Sequence, residues 1–153
     1  MARSNRQLTQ FAIDQIRGHL SAGPVAGVSK AGNTEVEVDV CNCGRPPHII
    51  VRLFGKEILR IFMSPLNSRV VAGIMLRTGD FYDSKGRPSR TTRERLNGLL
   101  DFLCTGGFFP EGLRVFLRDD TGCYVGRGEA CKAFDANNTA ACLMTHPRDL
   151  VFA

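Results

Sequence analysis

The segment 48–63 constrains this chain more than any other. Two runs rich in large apolar residues, 48–54 and 57–63, flank Gly55-Lys56. A two-residue loop with glycine at its first central position fits a type II′ hairpin turn. Side chains alternate between the two faces of a strand. Pairing across Gly55-Lys56 therefore sets Leu53 beside Ile58 and Ile49 beside Phe62 on one face, with Ile50 beside Ile61, and Phe54, on the other. Both faces are apolar, whereas a strand pair with one solvated face alternates apolar and polar. The hairpin is expected to be covered on both sides, either sandwiched by two helices or closed by self-association.

Other elements follow from periodicity. Residues 34–40 alternate without a break, with Val36, Val38 and Val40 on one face and Glu35, Glu37 and Asp39 on the other; this is the pattern of a half-buried strand. A further strand fits 69–77. Residues 113–118 and 123–125 read as a hairpin around Asp119-Asp120-Thr121-Gly122, with Gly122 suited to the left-handed position of a bulge. Leu8, Phe11, Ala12, Ile16 and Leu20 form one helical stripe, which Ser4 and Gln7 open with capping-box spacing and Gly23-Pro24 ends, the glycine as a left-handed cap. A second helix is expected at about 91–104, with Thr91 and Glu94 as its capping box. Its buried stripe is Leu96, Leu99, Leu100 and Leu103, and Gly106-Gly107 stops it. Segments 41–47 and 78–88 read as loops. In the last 25 or so residues Phe134, Leu143, Leu150 and Phe152 are expected to tuck against the core. The order predicts one α+β domain over 1–153, a mostly antiparallel sheet (meander plus hairpin) with two main helices.

Composition agrees with that class. At 153 residues, 43% apolar and 23% charged, the chain can bury a core without staples. No apolar run approaches the ~20 residues of a spanning helix, and no secretory signal is read at the start, so a cytoplasmic, non-membrane protein is expected. In that compartment the six cysteines are expected to be thiols.

The search for chemistry is mostly negative. No phosphate-binding loop, dinucleotide fingerprint or nucleophile motif occurs, and His19, His48 and His146 stand beside no catalytic pattern. Cys41-x-Cys43 and Cys142-x3-His146, with Cys123 and Cys131, offer soft ligands at spacings unlike those of structural zinc sites. No catalytic residue, metal or cofactor is expected. The carboxylates of Glu35, Glu37 and Asp39 read as a solvated strand face, to be neutralised by a lysine or arginine on a neighbouring strand.

The unusual segment is 85–100. It places Lys85, Arg87, Arg90, Arg93 and Arg95 at or before a helix start, where the dipole disfavours cations by ~0.3–1 kcal/mol each, and puts the weak helix formers Asn97 and Gly98 inside. Two readings stay open. In one, this is a solvated entrance, with Arg95 ion-paired inside the fold and Gly98 permitting close packing. In the other, Lys85, Arg87, Arg90 and Arg93 bind an anionic partner, an acidic protein or nucleic acid, with Phe81 and Tyr82 nearby for stacking.

The order of Phe54-Gly55-Lys56-Glu57-Ile58-Leu59-Arg60-Ile61, then Thr91-Thr92-Arg93-Glu94-Arg95-Leu96-Asn97, then the hairpin 113–125 resembles small uncharacterised proteins of tailed bacteriophages. In these a "T-T-x-x-R-L-N" helix precedes a hairpin. The resemblance spans roughly the middle half of the chain and departs from the pattern at Cys123, where an aromatic is usual. It implies a phage origin and carries no established activity. The expected function is that of a phage accessory protein without enzymatic activity, binding a host or phage macromolecule in the host cytoplasm through the basic helix entrance. The alternative is a virion component such as a capsid decoration or head-associated protein, with the two-faced hairpin as its assembly surface. If the thiol reading is right, a thiol reagent added to denatured, unreduced protein titrates all six cysteines; a substoichiometric count would reveal disulfides.

Overall fold

The helices are bounded by identifiable local devices: a side-chain capping box opens the first and backbone bonds close the second. The computed structural model describes residues 4–40, 47–64, 71–77 and 90–108, together with the strand backbones of 114–117, 123–127, 130–133, 140–144 and 150–152. Helix α1 (Asn5–Ala22) opens on the expected capping box: the Ser4 hydroxyl accepts from the Gln7 amide while the Gln7 side chain accepts from the Ser4 N–H. Its buried residues are Leu8, Ala12, Ile16 and Leu20. Gly23 has φ 90° and ψ 137°, so it turns the chain from a positive-φ extended conformation rather than from the left-handed cap that the sequence indicated.

Helix α2 (Arg90–Thr105) begins earlier than its spacing suggested. Thr91 therefore sits inside the first turn and Glu94 faces Arg90 and Asn5, which replaces the expected Thr91–Glu94 capping box. At the far end Phe108 N–H donates to the Leu103 carbonyl and Gly107 N–H to that of Cys104, with Gly107 at φ 77°. This is a Schellman motif, closed by the expected contact of Phe108 with Phe102, whose rings lie 5.7 Å apart.

Strands β1 (Gly27–Ala31), β2 (Thr34–Asp39), β3 (His48–Leu53), β4 (Lys56–Met63) and β5 (Val71–Arg77) form a meander, which continues through β9 (Ala140–Met144) to β10 (Leu150–Phe152). Every pairing is antiparallel. Strands β6 (Arg114–Leu117), β7 (Cys123–Arg127) and β8 (Ala130–Ala133) make a separate three-stranded sheet beside α2. The α+β class and the 113–125 hairpin stand as expected; β8, β9 and β10 come from the tail whose pattern was ambiguous.

The central hairpin departs from expectation by one residue. Leu53 pairs with Lys56, so the turn is Phe54-Gly55, with φ 53° and 79°. Two positive φ values are the type I′ requirement, which matches strand twist as well as the type II′ turn does. A bulge between Val51 and Arg52 then leaves Ile58 without a partner on β3, so consecutive Ile58 and Leu59 both enter the core. Ile49 thus faces Ile61 and Ile50 faces Arg60, and the expected pairs of Leu53 with Ile58, Ile49 with Phe62 and Ile50 with Ile61 do not form.

Among the described residues the core joins the stripes of both helices to Val36, Val38, Ile49, Val51, Leu53, Leu59, Ile61, Ile74 and Leu76. All four predicted leucines of α2 are buried. Both helices lie on this one sheet face, so the hairpin is not sandwiched between them. The other face is roofed by ion pairs: Arg52 bridges Glu35 at 3.0 Å and Glu37 at 2.8 Å, and Arg60 meets Glu57 at 2.5 Å. Ile50 lies among these side chains, only 2% exposed and outside the main core cluster. Phe54 is the apolar residue of the hairpin that remains open, at 62% exposure.

An L-residue in the left-handed region costs roughly 1–2 kcal/mol, least for asparagine. Phe54→Asn creates the favoured Asn-Gly turn and is expected to stabilise the fold by about 0.5–1 kcal/mol, read as a higher denaturant midpoint at unchanged slope. A lower midpoint would mean that the exposed ring contributes contacts that outweigh the backbone cost.

Candidate functional site

Arg95 decides how the two helix starts meet. It is fully buried, yet no carboxylate among the described residues pairs with it. Its guanidinium donates instead to neutral acceptors: Nε to Thr9 Oγ1 at 2.9 Å, one terminal nitrogen to Asn5 Oδ1 at 2.6 Å, and the other to the buried hydroxyl of Thr34. Burial pushes its pKa below the ordinary arginine value, though arginine remains charged throughout the physiological range. The expected internal ion pair is therefore a set of hydrogen bonds to α1 and β2. Gly98 completes the junction, since a Cβ there would stand 2.5 Å from Thr9 Cγ2.

These contacts orient the helices. Asn5 meets Glu94 and Arg95, Thr9 meets Arg95 and Gly98, and the Arg17 guanidinium lies 5.2 Å from the Phe102 ring. Positions rise together along both helices, so α1 and α2 run parallel and their positive dipole ends coincide. Neither first turn contains an acidic residue.

Around this shared end stand three described arginines. Arg6 is exposed on the first turn of α1, a residue the sequence did not single out because nothing local connects it to segment 85–95. Arg90 is 84% exposed and pairs with Glu94 at 2.8 Å; Arg93 is half-buried one turn further. The hydrogen bonds from Arg90 and Asn5 hold the Glu94 carboxyl below its usual range. Lys85 and Arg87, with the aromatics Phe81 and Tyr82, lie outside the described residues. Asn5, Arg6, Thr9, Gln10 and Glu94 line a cleft of about 270 Å³ between the two starts.

Of the strand carboxylates, Glu35 and Glu37 are ion-paired to Arg52, while Asp39 is exposed. Burial opposes the charge of Arg52, but its bonds to Glu37 and Glu35 outweigh that and raise its pKa. No group of three or more His, Cys, Asp or Glu placed to hold a metal occurs among the described residues. His48 packs edge-on against Phe62 with ring centres 4.7 Å apart. Of the six cysteines only Cys104 falls within the side chains described, and it is free. No described helix is long and apolar enough to cross a membrane. No protein-family model, curated protein or solved structure matches this chain.

Arg95→Ala is expected to cost roughly 3–5 kcal/mol, because it leaves a cavity and removes the donor from three part-buried or buried acceptors. Arg90→Ala removes only an exposed i,i+4 pair and should change stability by less than about 0.5 kcal/mol. Chemical denaturation of both variants checks the contrast; equal effects would refute the assignment of Arg95 as the internal anchor.

Proposed function

We propose that this chain is a phage accessory protein without enzymatic activity, which binds an anionic host or phage macromolecule in the host cytoplasm. The phage origin rests on the resemblance of the 91–97 helix motif and its neighbouring hairpins. The binding reading rests on one observation: the parallel helix starts bring two positive dipole ends together and carry Arg6, Arg90 and Arg93, with no acid in either first turn.

Arginines there oppose the dipole of an isolated domain. A polyanion reverses that penalty, because its phosphates or carboxylates interact with the arginine fields and the helix ends together. Arg95 and Gly98 belong to the internal junction, so the surface residues are Arg6, Arg90 and Arg93, joined in sequence by Lys85 and Arg87. Glu94 tempers the charge of Arg90 and holds it beside the cleft. Partners of this chemistry are a nucleic acid or an acidic protein surface.

The test is a fluorescence titration of labelled DNA and RNA oligonucleotides against the wild-type chain and an Arg6/Arg87/Arg90→Glu variant that keeps its thermal transition. Binding should weaken steeply with salt, and each lost phosphate contact should reduce the log–log slope by about 0.9 on duplex. Failure of wild type to bind either nucleic acid at low salt, with capture of an acidic polypeptide that the variant loses, would assign the surface to a protein partner. Identical behaviour of wild type and variant towards all three probes would overturn the proposal.

A further inference from the structure

Among the described residues strand β1 ends the seven-stranded sheet, no strand pairs with its outer side, and it is largely exposed. Among the described residues the exposed large apolar side chains are Val25, Val28, Val40 and Phe54. Val28 lies on β1, and Val25 and Val40 flank the β1–β2 hairpin.

The direction of the free backbone groups follows from the register. Phe54 N–H donates to the Asn33 carbonyl, so Asn33 and every second residue after it bond towards β3. Thr34, Val36 and Val38 then bond towards β1, where their partners are Ala31, Ser29 and Gly27. The N–H and C=O groups of Val28 and Lys30 are left pointing away from the sheet.

We propose that β1 pairs antiparallel with β1 of a second copy, with Ser29 facing Ser29 across a two-fold axis. The chemistry of the edge itself favours self-pairing in that register. An antiparallel edge pair must use the outward-pointing residues, and this register uses both, setting each Val28 opposite the other copy's Lys30. The alternative that centres on Lys30 places two ammonium groups face to face, which is unfavourable. In the chosen register Lys30 lays its methylenes over the exposed Val28 of the second copy and carries its charge towards that copy's Glu37, the neighbour of Val28 on β2. The residues at the axis are small, as the close approach of a non-hydrogen-bonded pair, about 4.5 Å between Cα atoms, allows. A lone edge lysine often guards against pairing; here it disfavours only the register centred on itself. The surface is independent of the basic helix end.

An edge of five residues is smaller than a standard interface, so association on the order of 100 μM is expected. Sedimentation velocity from roughly 0.01 to 1 mM should show a monomer–dimer equilibrium. Val28→Pro deletes an N–H that the β1–β2 ladder does not use, and should give monomer throughout that range with the thermal transition retained. Mild oxidation should link Ser29→Cys chains to each other, at position 29 by peptide mass spectrometry, at least tenfold faster than Lys30→Cys chains. A wild-type monomer at every concentration, a dimer that survives Val28→Pro, or equal linkage of the two cysteine variants would each overturn the proposal.

Discussion

The hydrogen bonds of Arg95 tie together α1, α2 and β2 from inside the fold, where the contacts around them are otherwise apolar. A guanidinium taken wholly out of water carries a large desolvation penalty. Here no carboxylate among the described residues offsets it; Asn5, Thr9 and Thr34 supply three directed acceptors instead. Apolar packing alone tolerates sliding and rotation of one helix on another. Donors in a rigid planar fork do not, because a shift of a turn would leave a buried cation without partners. The parallel orientation of the helices, the seating of α1 over β2 and the close crossing at Gly98 all follow from where that fork finds its acceptors.

With both helices committed to one sheet face, the other must be closed differently. It uses long charged side chains, whose methylenes cover apolar surface while their ends pair. Arg52 and Arg60 do this over and beside Ile50, with Glu35, Glu37 and Glu57 as their partners. These ions are only partly exposed, and Arg60 Nε is buried without a hydrogen-bond partner among the described residues. Among the described residues the seven-stranded sheet thus carries helices on one face and an ionic surface on the other.

The parallel helices also create the candidate site. Antiparallel helices would set a positive end beside a negative one and cancel much of the field. Parallel packing adds the two positive ends and brings Arg6 to a cleft that Glu94, the ion-pair partner of Arg90, also lines. Glu94 reaches both helices, through Arg90 and Asn5, and so limits the repulsion that this arrangement builds up.

The amino-acid sequence by itself determined the features carried by neighbouring residues. The helix stripes, the Ser4–Gln7 box, the alternation of 34–39 and the α+β class depend on periods of two or about 3.6, which any short window displays. It also showed that Arg90 and Arg93 open a helix and that Gly98 makes room for something. Tertiary structure alone decided what lay beyond those windows. The acceptors of Arg95 stand 61, 86 and 90 residues away, and no periodicity relates them to it. The turn moved to Phe54-Gly55 in a sheet where the Phe54 N–H bonds to Asn33 of the adjoining strand connection, a contact the hairpin's own residues cannot reveal. Apolar residues on both faces of that hairpin announced a need for cover. Which cover each face received was decided by long-range packing: both helices close over the face of Val36 and Val38, and Arg52 and Arg60, paired with glutamates, close the other.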